Sequence, residues 1–359
     1  MSVFDRINRW LRRPPVALHG PVPLPMPGGG RKQVDHVIIL DGTMSSLAAG
    51  QETNAGLTFR LLREGGRRNG LSLYYEPGIQ WTSWAQAQDV FQGRGLNSQI
   101  RRAYGFLASR YRPGDRIFLF GYSRGAYAVR SLAGVIDRVG LLRAENATER
   151  NVTLAYRHYR TAPDSPAARA FAAAQCHAEL MIEMVGVWDT VKALGLRLPI
   201  LWRLTEARNA FHTPHLGRAI RHGFHALALD ETRDAFAPVL WMAAPDWQGN
   251  VEQMWFRGGH GDIGGQLGGF APARQRSNIP LVWMLERAEA CGLPLPPRWR
   301  ARYPCDPDAP AVGTWRGSGK LFLLRHRRKI GRDRSEHLHP SVTGAGPRGW
   351  ADFLRGRAG

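Results

Sequence analysis

The chain has 359 residues, a length that fits one large domain or one domain with additions and is ample for a buried core. Its 43% hydrophobic and 10% aromatic residues exclude a disordered protein, and no apolar stretch reaches the roughly 18 residues of a membrane span. The net charge is +20, and arginine supplies all but four of the 49 basic residues. Such a balance indicates affinity for a polyanion, either an anionic membrane surface or nucleic acid.

The N-terminal region lacks the apolar core of a secretory signal. The three cysteines, at 176, 291 and 305, are too widely spaced for a disulfide framework or a paired metal site. We therefore expect a cytoplasmic protein, with non-classical secretion left open. Residues 1–13 predict a short amphipathic helix with a basic face, followed by a proline- and glycine-rich linker to residue 30. This segment either packs on the body of the protein or attaches to a membrane surface.

Residues 31–359 are predicted to form a single domain in which short apolar strands alternate with longer helical stretches. Strands are predicted at 34–40, 71–75, 116–120, 181–188, within 239–243 and at 251–256, and helices at 54–63, 100–111, 124–139 and 279–289. Crossovers long enough for helices imply a mostly parallel central sheet covered on both faces, so the predicted fold class is α/β. Residues 144–174 and 193–216 interrupt the alternation and are predicted to be helical cap insertions over the carboxyl edge of the sheet.

The clearest chemical signal is the pentapeptide GYSRG at residues 121–125, a GxSxG motif. The motif is weak alone, but a predicted strand leads into it and a predicted helix leads out, as a nucleophile elbow requires. The two glycines let strand and helix approach closely, so Ser123 exposes its hydroxyl in a strained turn. The amide of Arg124, at the start of the helix, then points toward a developing oxyanion. The alternative is an idle serine in a glycine-rich turn.

A serine nucleophile needs a base that is oriented by an acid, and in α/β-hydrolases these follow in the order Ser, Asp, His. Asp189 ends an apolar strand, and His260 follows another strand into a glycine turn. Both therefore belong at the sheet edge where Ser123 emerges. The alternatives are structural roles for both residues, His339 as the base, and Asp262 as the acid. For Asp262 we favour a structural role in holding the glycine-rich turn.

Five motifs together resemble one family of bacterial and fungal α/β-hydrolases that was long labelled a domain of unknown function. They are DGT at 41–43, FGYSRGA at 120–126, GVWDTV at 186–191, DETR at 230–233 and WFRGGHGDIGG at 255–265. The family includes lipase effectors of type VI secretion with phospholipase A activity. The resemblance implies a triad on Ser123, Asp189 and His260, and an ester substrate of lipid type.

The DGT loop follows the first strand and offers a second backbone amide, from Gly42 or Thr43, to the oxyanion hole. For Asp41 the favoured role is to fix that loop through hydrogen bonds to nearby amides. The charged residues of 230–233 are expected to form an ion-pair network near the site. His339 and Asp262, with Asp41, are thus candidate supporting residues around the triad.

Other classes of function have weaker support. The basic tail is a candidate phosphate-binding or simply solvated surface; its basic residues are Arg325, Arg327, Arg328, Lys329, Arg332 and Arg334. No nucleic-acid-binding signature accompanies the charge, so no specific nucleic acid partner is expected. His260 and Asp262 lack further ligands for a metal site, and no phosphate-binding loop is present, so no cofactor is expected.

The sequence therefore predicts a serine hydrolase of carboxylic esters, with lipid acyl esters as the favoured substrate and an anionic membrane surface as a candidate partner. One alternative is a non-catalytic module that binds membrane or nucleic acid. Another is a hydrolase of a soluble ester or thioester.

Overall fold

The structure is a computed structural model that describes residues 31–65, 70–78, 94–191, 216–242, 247–316, 322 and 324–342. The predicted amphipathic segment at 1–13 and its linker lie outside the described residues. The division of the chain at residue 30 therefore stays a prediction.

Seven parallel strands in the described residues form one sheet, in the order β2-β1-β3-β4-β5-β6-β7. The strands are β1 (Asp35–Leu40), β2 (Leu71–Glu76), β3 (Arg116–Tyr122), β4 (Ile182–Trp188), β5 (Ile220–Ala228), β6 (Asn250–Phe256) and β7 (Glu336–Leu338). The helices are α1 (Asn54–Gly65), α2 (Arg94–Ala108), α3 (Arg124–Arg138), α4 (Glu149–Thr161), α5 (Pro166–Gln175), α6 (His260–Gly264) and α7 (Arg274–Ala290). Because all strands are parallel, their carboxyl ends meet at one edge of the sheet.

The strands are buried on both faces. In β1, Ile38 and Leu40 belong to an apolar cluster with α2 and α3, whereas Val37 and Ile39 belong to a second cluster with α1 and α7. Alternate side chains of a strand point to opposite faces, so helices must cover both sides of the sheet. The predicted α/β class, with a parallel sheet between helices, is confirmed.

One predicted strand is wrong and two strands were missed. Residues 239–242 form no strand, and the Gln253 side chain instead binds both the amide and the carbonyl of Trp241, at 2.8 and 2.9 Å. Strand β5 was missed because His222 and His225 interrupt its apolar pattern, although His225 is fully buried. Strand β7 has only three residues, too few to show an alternation.

The segment 144–174, predicted as a cap, forms helices α4 and α5. Val152, Ala155 and Tyr159 of α4 join the apolar cluster built by α2 and α3. This segment therefore adds a further helical layer on one face of the sheet, rather than a cover over the strand ends. Nearly all of the second predicted cap, at 193–216, lies outside the described residues.

Candidate active site

Ser123 lies in the sharp turn between β3 and α3, with φ 57° and ψ −119°. This positive φ is costly for a residue with a side chain, and it persists only where the surrounding structure imposes it. Gly125 allows α3 to approach β1, because a Cβ atom there would lie 2.1 Å from the carbonyl oxygen of Leu40. Gly121 is constrained in the same way, since its Cβ would lie 2.6 Å from the carbonyl oxygen of Gly125. Each glycine of the motif is therefore required by close packing.

Three predicted side chains form one hydrogen-bonded line. His260 Nε2 lies 2.8 Å from Ser123 Oγ, and His260 Nδ1 lies 2.6 Å from Asp189 Oδ2. Ser123 follows β3, Asp189 follows β4, and His260 opens α6 a few residues after β6. All three are buried, and Ser123 is the most accessible of them at 8% exposure. The carboxyl edge of the sheet thus brings together a hydroxyl, an imidazole and a carboxylate from three strand ends.

The Asp189 carboxylate is held from two further sides. Its Oδ1 accepts a hydrogen bond from the amide of Ala228 at 3.0 Å. Arg328 binds both oxygens, with Nη1 at 2.5 Å from Oδ1 and Nη2 at 2.9 Å from Oδ2. Burial by itself raises the pKa of Asp189, but the charge of Arg328 and the hydrogen bonds from His260 and Arg328 lower that pKa well below its ordinary value. The carboxylate is therefore ionised at neutral pH.

Arg328 corrects the interpretation of the basic tail as a solvated or phosphate-binding surface. It is only 8% exposed and also donates to the carbonyl oxygens of Ala228 and Phe236, at 2.8 and 2.5 Å. Arg328 and Ile330 are buried while Arg327 and Lys329 are exposed, the alternation of an extended segment.

The imidazole of His260 is held by two aromatic rings and by its own backbone. The ring of Tyr122 stacks on it with centroids 4.9 Å apart, and the ring of Phe236 lies 4.8 Å away. The amide of His260 donates to Glu231 Oε2 at 3.0 Å, and Glu231 is paired with Arg233 at 2.7 Å. These contacts fix the ring relative to Ser123.

The charged motif at 230–233 therefore forms hydrogen bonds with the turn that carries His260. Besides the pair of Glu231 and Arg233, Asp230 Oδ2 accepts the amide of Gly258 at 2.7 Å and the Nε of Arg257 at 2.8 Å. The predicted network consists of two separate pairs. Both pairs act on the segment between β6 and α6.

The two alternative triad members make different contacts. Asp262 accepts backbone amides, from Gly259 at 2.8 Å and from Val312 at 2.7 Å, so its carboxylate ties the glycine turn to the chain beyond α7. His339 Nδ1 bonds to Ser341 Oγ at 2.8 Å, and its ring stacks on Phe256 at 4.6 Å. Burial lowers the pKa of His339 to about 4. Neither side chain belongs to the line through Ser123.

The DGT loop is organised by Asp41. Its Oδ1 accepts the amide of Gly42 at 2.6 Å, and its Oδ2 accepts the hydroxyls of Thr53 and Tyr75 at 2.6 and 2.8 Å. Burial raises the pKa of Asp41 to about 6. Because the Gly42 amide is already used, the expectation that it contributes to an oxyanion hole is corrected. The amides of Thr43 and Arg124 make no hydrogen bond to any residue that the structure describes.

Among the described residues, no group of three or more His, Cys, Asp or Glu side chains has the arrangement of a metal site. None of the helices described above has both the length and the apolar character needed to cross a bilayer.

Several known proteins are similar to this chain. The Saccharomyces cerevisiae protein YEL023C is 28% identical over 235 residues, which cover 58% of this chain and 33% of the yeast protein. An uncharacterized Pseudomonas aeruginosa protein of known structure is 16% identical with a TM-score of 0.42, over 77% of this chain and 49% of that one. The chain thus spans about a third of the yeast relative and about half of the bacterial one.

Two further solved structures also resemble this chain. The Tle1 effector bound to the VgrG spike of a type 6 secretion system is 17% identical with a TM-score of 0.33, over 66% of this chain and 52% of that one. The thermophilic esterase Est2 from Thermogutta terrifontis is 13% identical with a TM-score of 0.33, over 74% and 85% of the two chains. The model of the type VI secretion phospholipase effector Tle1-like catalytic domain matches residues 35–287, more than half of the chain. The chain therefore belongs to the family of Tle1-like phospholipase effector catalytic domains.

Proposed function

We propose that this protein is a serine hydrolase that cleaves the carboxylic esters of phospholipids or related lipids, with Ser123 as nucleophile, His260 as base and Asp189 as the acid that orients the base. The observation that carries the proposal is the hydrogen-bonded line of hydroxyl, imidazole and carboxylate, with heavy-atom distances of 2.8 and 2.6 Å. These distances suit proton transfer from the serine. Membership of a phospholipase effector family supports the lipid ester as substrate.

The reaction starts when Ser123 Oγ attacks the ester carbonyl and His260 Nε2 takes the hydroxyl proton. Asp189 stabilises the imidazolium and keeps Nδ1 protonated, so Nε2 remains the free base. The tetrahedral intermediate collapses as the C–O bond to the alcohol breaks and His260 returns the proton to the leaving oxygen. Water then attacks the acyl-enzyme by the same relay and releases the carboxylic acid.

The oxyanion of the intermediate is assigned to the amides of Arg124 and Thr43. Arg124 opens α3, where the first amides of a helix lack partners within the helix. Thr43 lies in the loop that Asp41 fixes, and its own carbonyl oxygen accepts Gln266 Nε2 at 2.9 Å. Asp41 thereby acts on this loop as an organiser, because its carboxylate takes the neighbouring Gly42 amide.

The nucleophile is tested with a fluorophosphonate probe, which labels only an activated serine. We expect the wild type to be labelled and to hydrolyse a short-chain ester. Ser123→Ala should not be labelled, and its rate of hydrolysis should fall by a factor of about 10⁴–10⁶. Ser109→Ala, at an exposed serine, is the matched control and keeps both properties. If Ser123→Ala remained labelled and active, the assignment would be wrong.

The choice of substrate is tested by a panel of esters that varies acyl length and headgroup. Phospholipid acyl hydrolysis that exceeds hydrolysis of soluble esters and thioesters supports a lipase, and the reverse order supports the soluble alternative. Binding of vesicles without labelling of Ser123 would favour a non-catalytic module. The cytoplasmic setting stays a prediction, and family membership adds delivery by a type VI secretion system as the competing proposal.

A further inference from the structure

The tail contributes a residue to the site that neither the motifs nor the family match contains. We propose that Arg328 is a positioning residue of the hydrolase, which holds the Asp189 carboxylate in one orientation so that it aligns His260. This inference rests on the proposed function of Ser123, His260 and Asp189. Arg328 lies beyond residue 287, where the match to the family model ends.

The geometry restricts the carboxylate in a way that His260 alone cannot. Asp189 Oδ1 accepts from Ala228 N and Arg328 Nη1, and Oδ2 accepts from His260 Nδ1 and Arg328 Nη2. Each oxygen therefore has two donors. Rotation of the carboxylate would break bonds at both oxygens, and the planar guanidinium fork fits this two-oxygen arrangement better than a single ammonium does.

The guanidinium is itself fixed from the other side. Its two terminal nitrogens also donate to the carbonyl oxygens of Ala228, at the end of β5, and Phe236. The ring of Phe236 packs 4.8 Å from that of His260. Arg328 thus binds both Asp189 and the backbone of Phe236, the residue whose ring packs against His260.

The charge of Arg328 has a second effect. A fully buried carboxylate is expensive to ionise, and the adjacent guanidinium offsets that cost. Removal of the guanidinium therefore favours protonation of Asp189. A protonated Asp189 no longer orients His260 as the carboxylate does, so the acidic limb of the pH–rate profile should move to higher pH.

The experiment compares wild type with Arg328→Met, Arg328→Lys and Arg327→Met, using hydrolysis of a soluble short-chain ester as a function of pH. Arg327 is exposed and serves as the matched control. We expect Arg328→Met to lower kcat by about a hundredfold, as misplacement of a catalytic group does, with little change in KM. The acidic limb moves up by about one pH unit.

Arg328→Lys keeps the charge without the fork. It should leave the acidic limb in place and lower kcat several-fold, and free guanidinium ion should restore part of the activity of Arg328→Met. Rates are expressed per fluorophosphonate-labelled serine, so that unfolded protein does not count. If Arg328→Met fails to fold, the test moves to Arg328→Lys, and a wild-type kcat in that variant overturns the inference.

A merely structural role predicts a different outcome. An Arg328→Met protein with the wild-type pH profile and wild-type rate per labelled serine would show that the fork does not position Asp189. That result overturns this inference and leaves the proposed function intact. A wild type that is neither labelled nor active on any ester overturns the proposed function itself.

Discussion

Glu231 Oε2 accepts a hydrogen bond from the backbone amide of His260 at 3.0 Å. A carboxylate outside the hydrogen-bonded line therefore fixes the backbone from which the imidazole projects. The same carboxylate forms an ion pair with Arg233, and Glu231 is 1% exposed. Glu231 thus contacts both Arg233 and the backbone of His260, which explains why Glu231 and Arg233 occur together in one short motif. The burial of this pair makes the loss of either partner costly.

The first prediction concerns this pair. Glu231→Gln removes the charge that compensates Arg233 and should lower the free energy of unfolding by about 3 kcal/mol. The kcat for a short-chain ester should fall as well, because the His260 amide loses a charged acceptor. Denaturant unfolding and ester hydrolysis measure the two effects. Glu145→Gln, at an exposed pair with Arg143, is the control and should change neither. Unaltered stability in Glu231→Gln would contradict the prediction.

The second prediction compares alanine substitutions at two glycines that lie in helices. Gly125→Ala places a Cβ atom 2.1 Å from the Leu40 carbonyl oxygen, so α3 must shift and the Ser123 turn with it. We expect a lower melting temperature and loss of most esterase activity. Gly105→Ala in α2 meets only Val152 Cγ2 at 3.6 Å and should be neutral or stabilising, since alanine favours the helix by about 1 kcal/mol. Equal effects of the two substitutions would refute the packing argument.

The third prediction follows from Asp41. Burial raises its pKa from 3.8 to about 6 in the folded protein, so the folded state binds this proton more tightly than the unfolded chain does. The contribution to stability is present below pH 4 and is lost as the pH rises to 6, at most about 3 kcal/mol. Unfolding free energies of wild type and Asp41→Asn are compared across this range. The wild type should lose stability relative to the variant, and parallel curves would contradict the assignment.

The fourth prediction concerns the positive charge. If the basic N-terminal segment attaches to an anionic surface, deletion of residues 1–13 should weaken binding to anionic vesicles and leave hydrolysis of a soluble ester unchanged. Binding by the full chain should fall as salt rises, because exposed charges are screened. A variant with glutamine at the exposed tail positions 327, 329, 332 and 334 shows which cluster contributes. Equal binding to neutral and anionic vesicles at low salt would exclude this role.

The strands and turns around Ser123 could be predicted because local patterns encode them. An apolar run such as β3, followed by glycine, serine and glycine, has one common structural solution. Strand β5 shows the opposite case, because the buried His225 looks polar in the sequence. In the structure its Nε2 accepts the Thr190 amide at 3.1 Å, and burial lowers its pKa to about 3, so it is a neutral core residue. A satisfied polar residue in a core cannot be distinguished from an exposed one without its partner.

Arg328 escaped prediction for a related reason. Its partner Asp189 is 139 positions away, and nothing in a run of basic residues identifies the one that turns inward. The Gly42 amide was equally ambiguous, since a glycine after a strand can serve an oxyanion or a neighbouring carboxylate. The hydrogen bonds of Arg328 are long-range and depend on tertiary packing rather than on local pattern, whereas the Gly42 amide binds the carboxylate of the adjacent Asp41.

The position of Arg328 in the chain also orders events during synthesis. Ser123, Asp189 and His260 leave the ribosome before Arg328, and domains fold from their N-terminal parts while translation proceeds. A nascent chain can therefore present the serine and histidine while the aspartate still lacks its guanidinium partner. If Arg328 positions Asp189 as proposed, the hydrogen-bonded line reaches its final geometry only after translation has passed position 328.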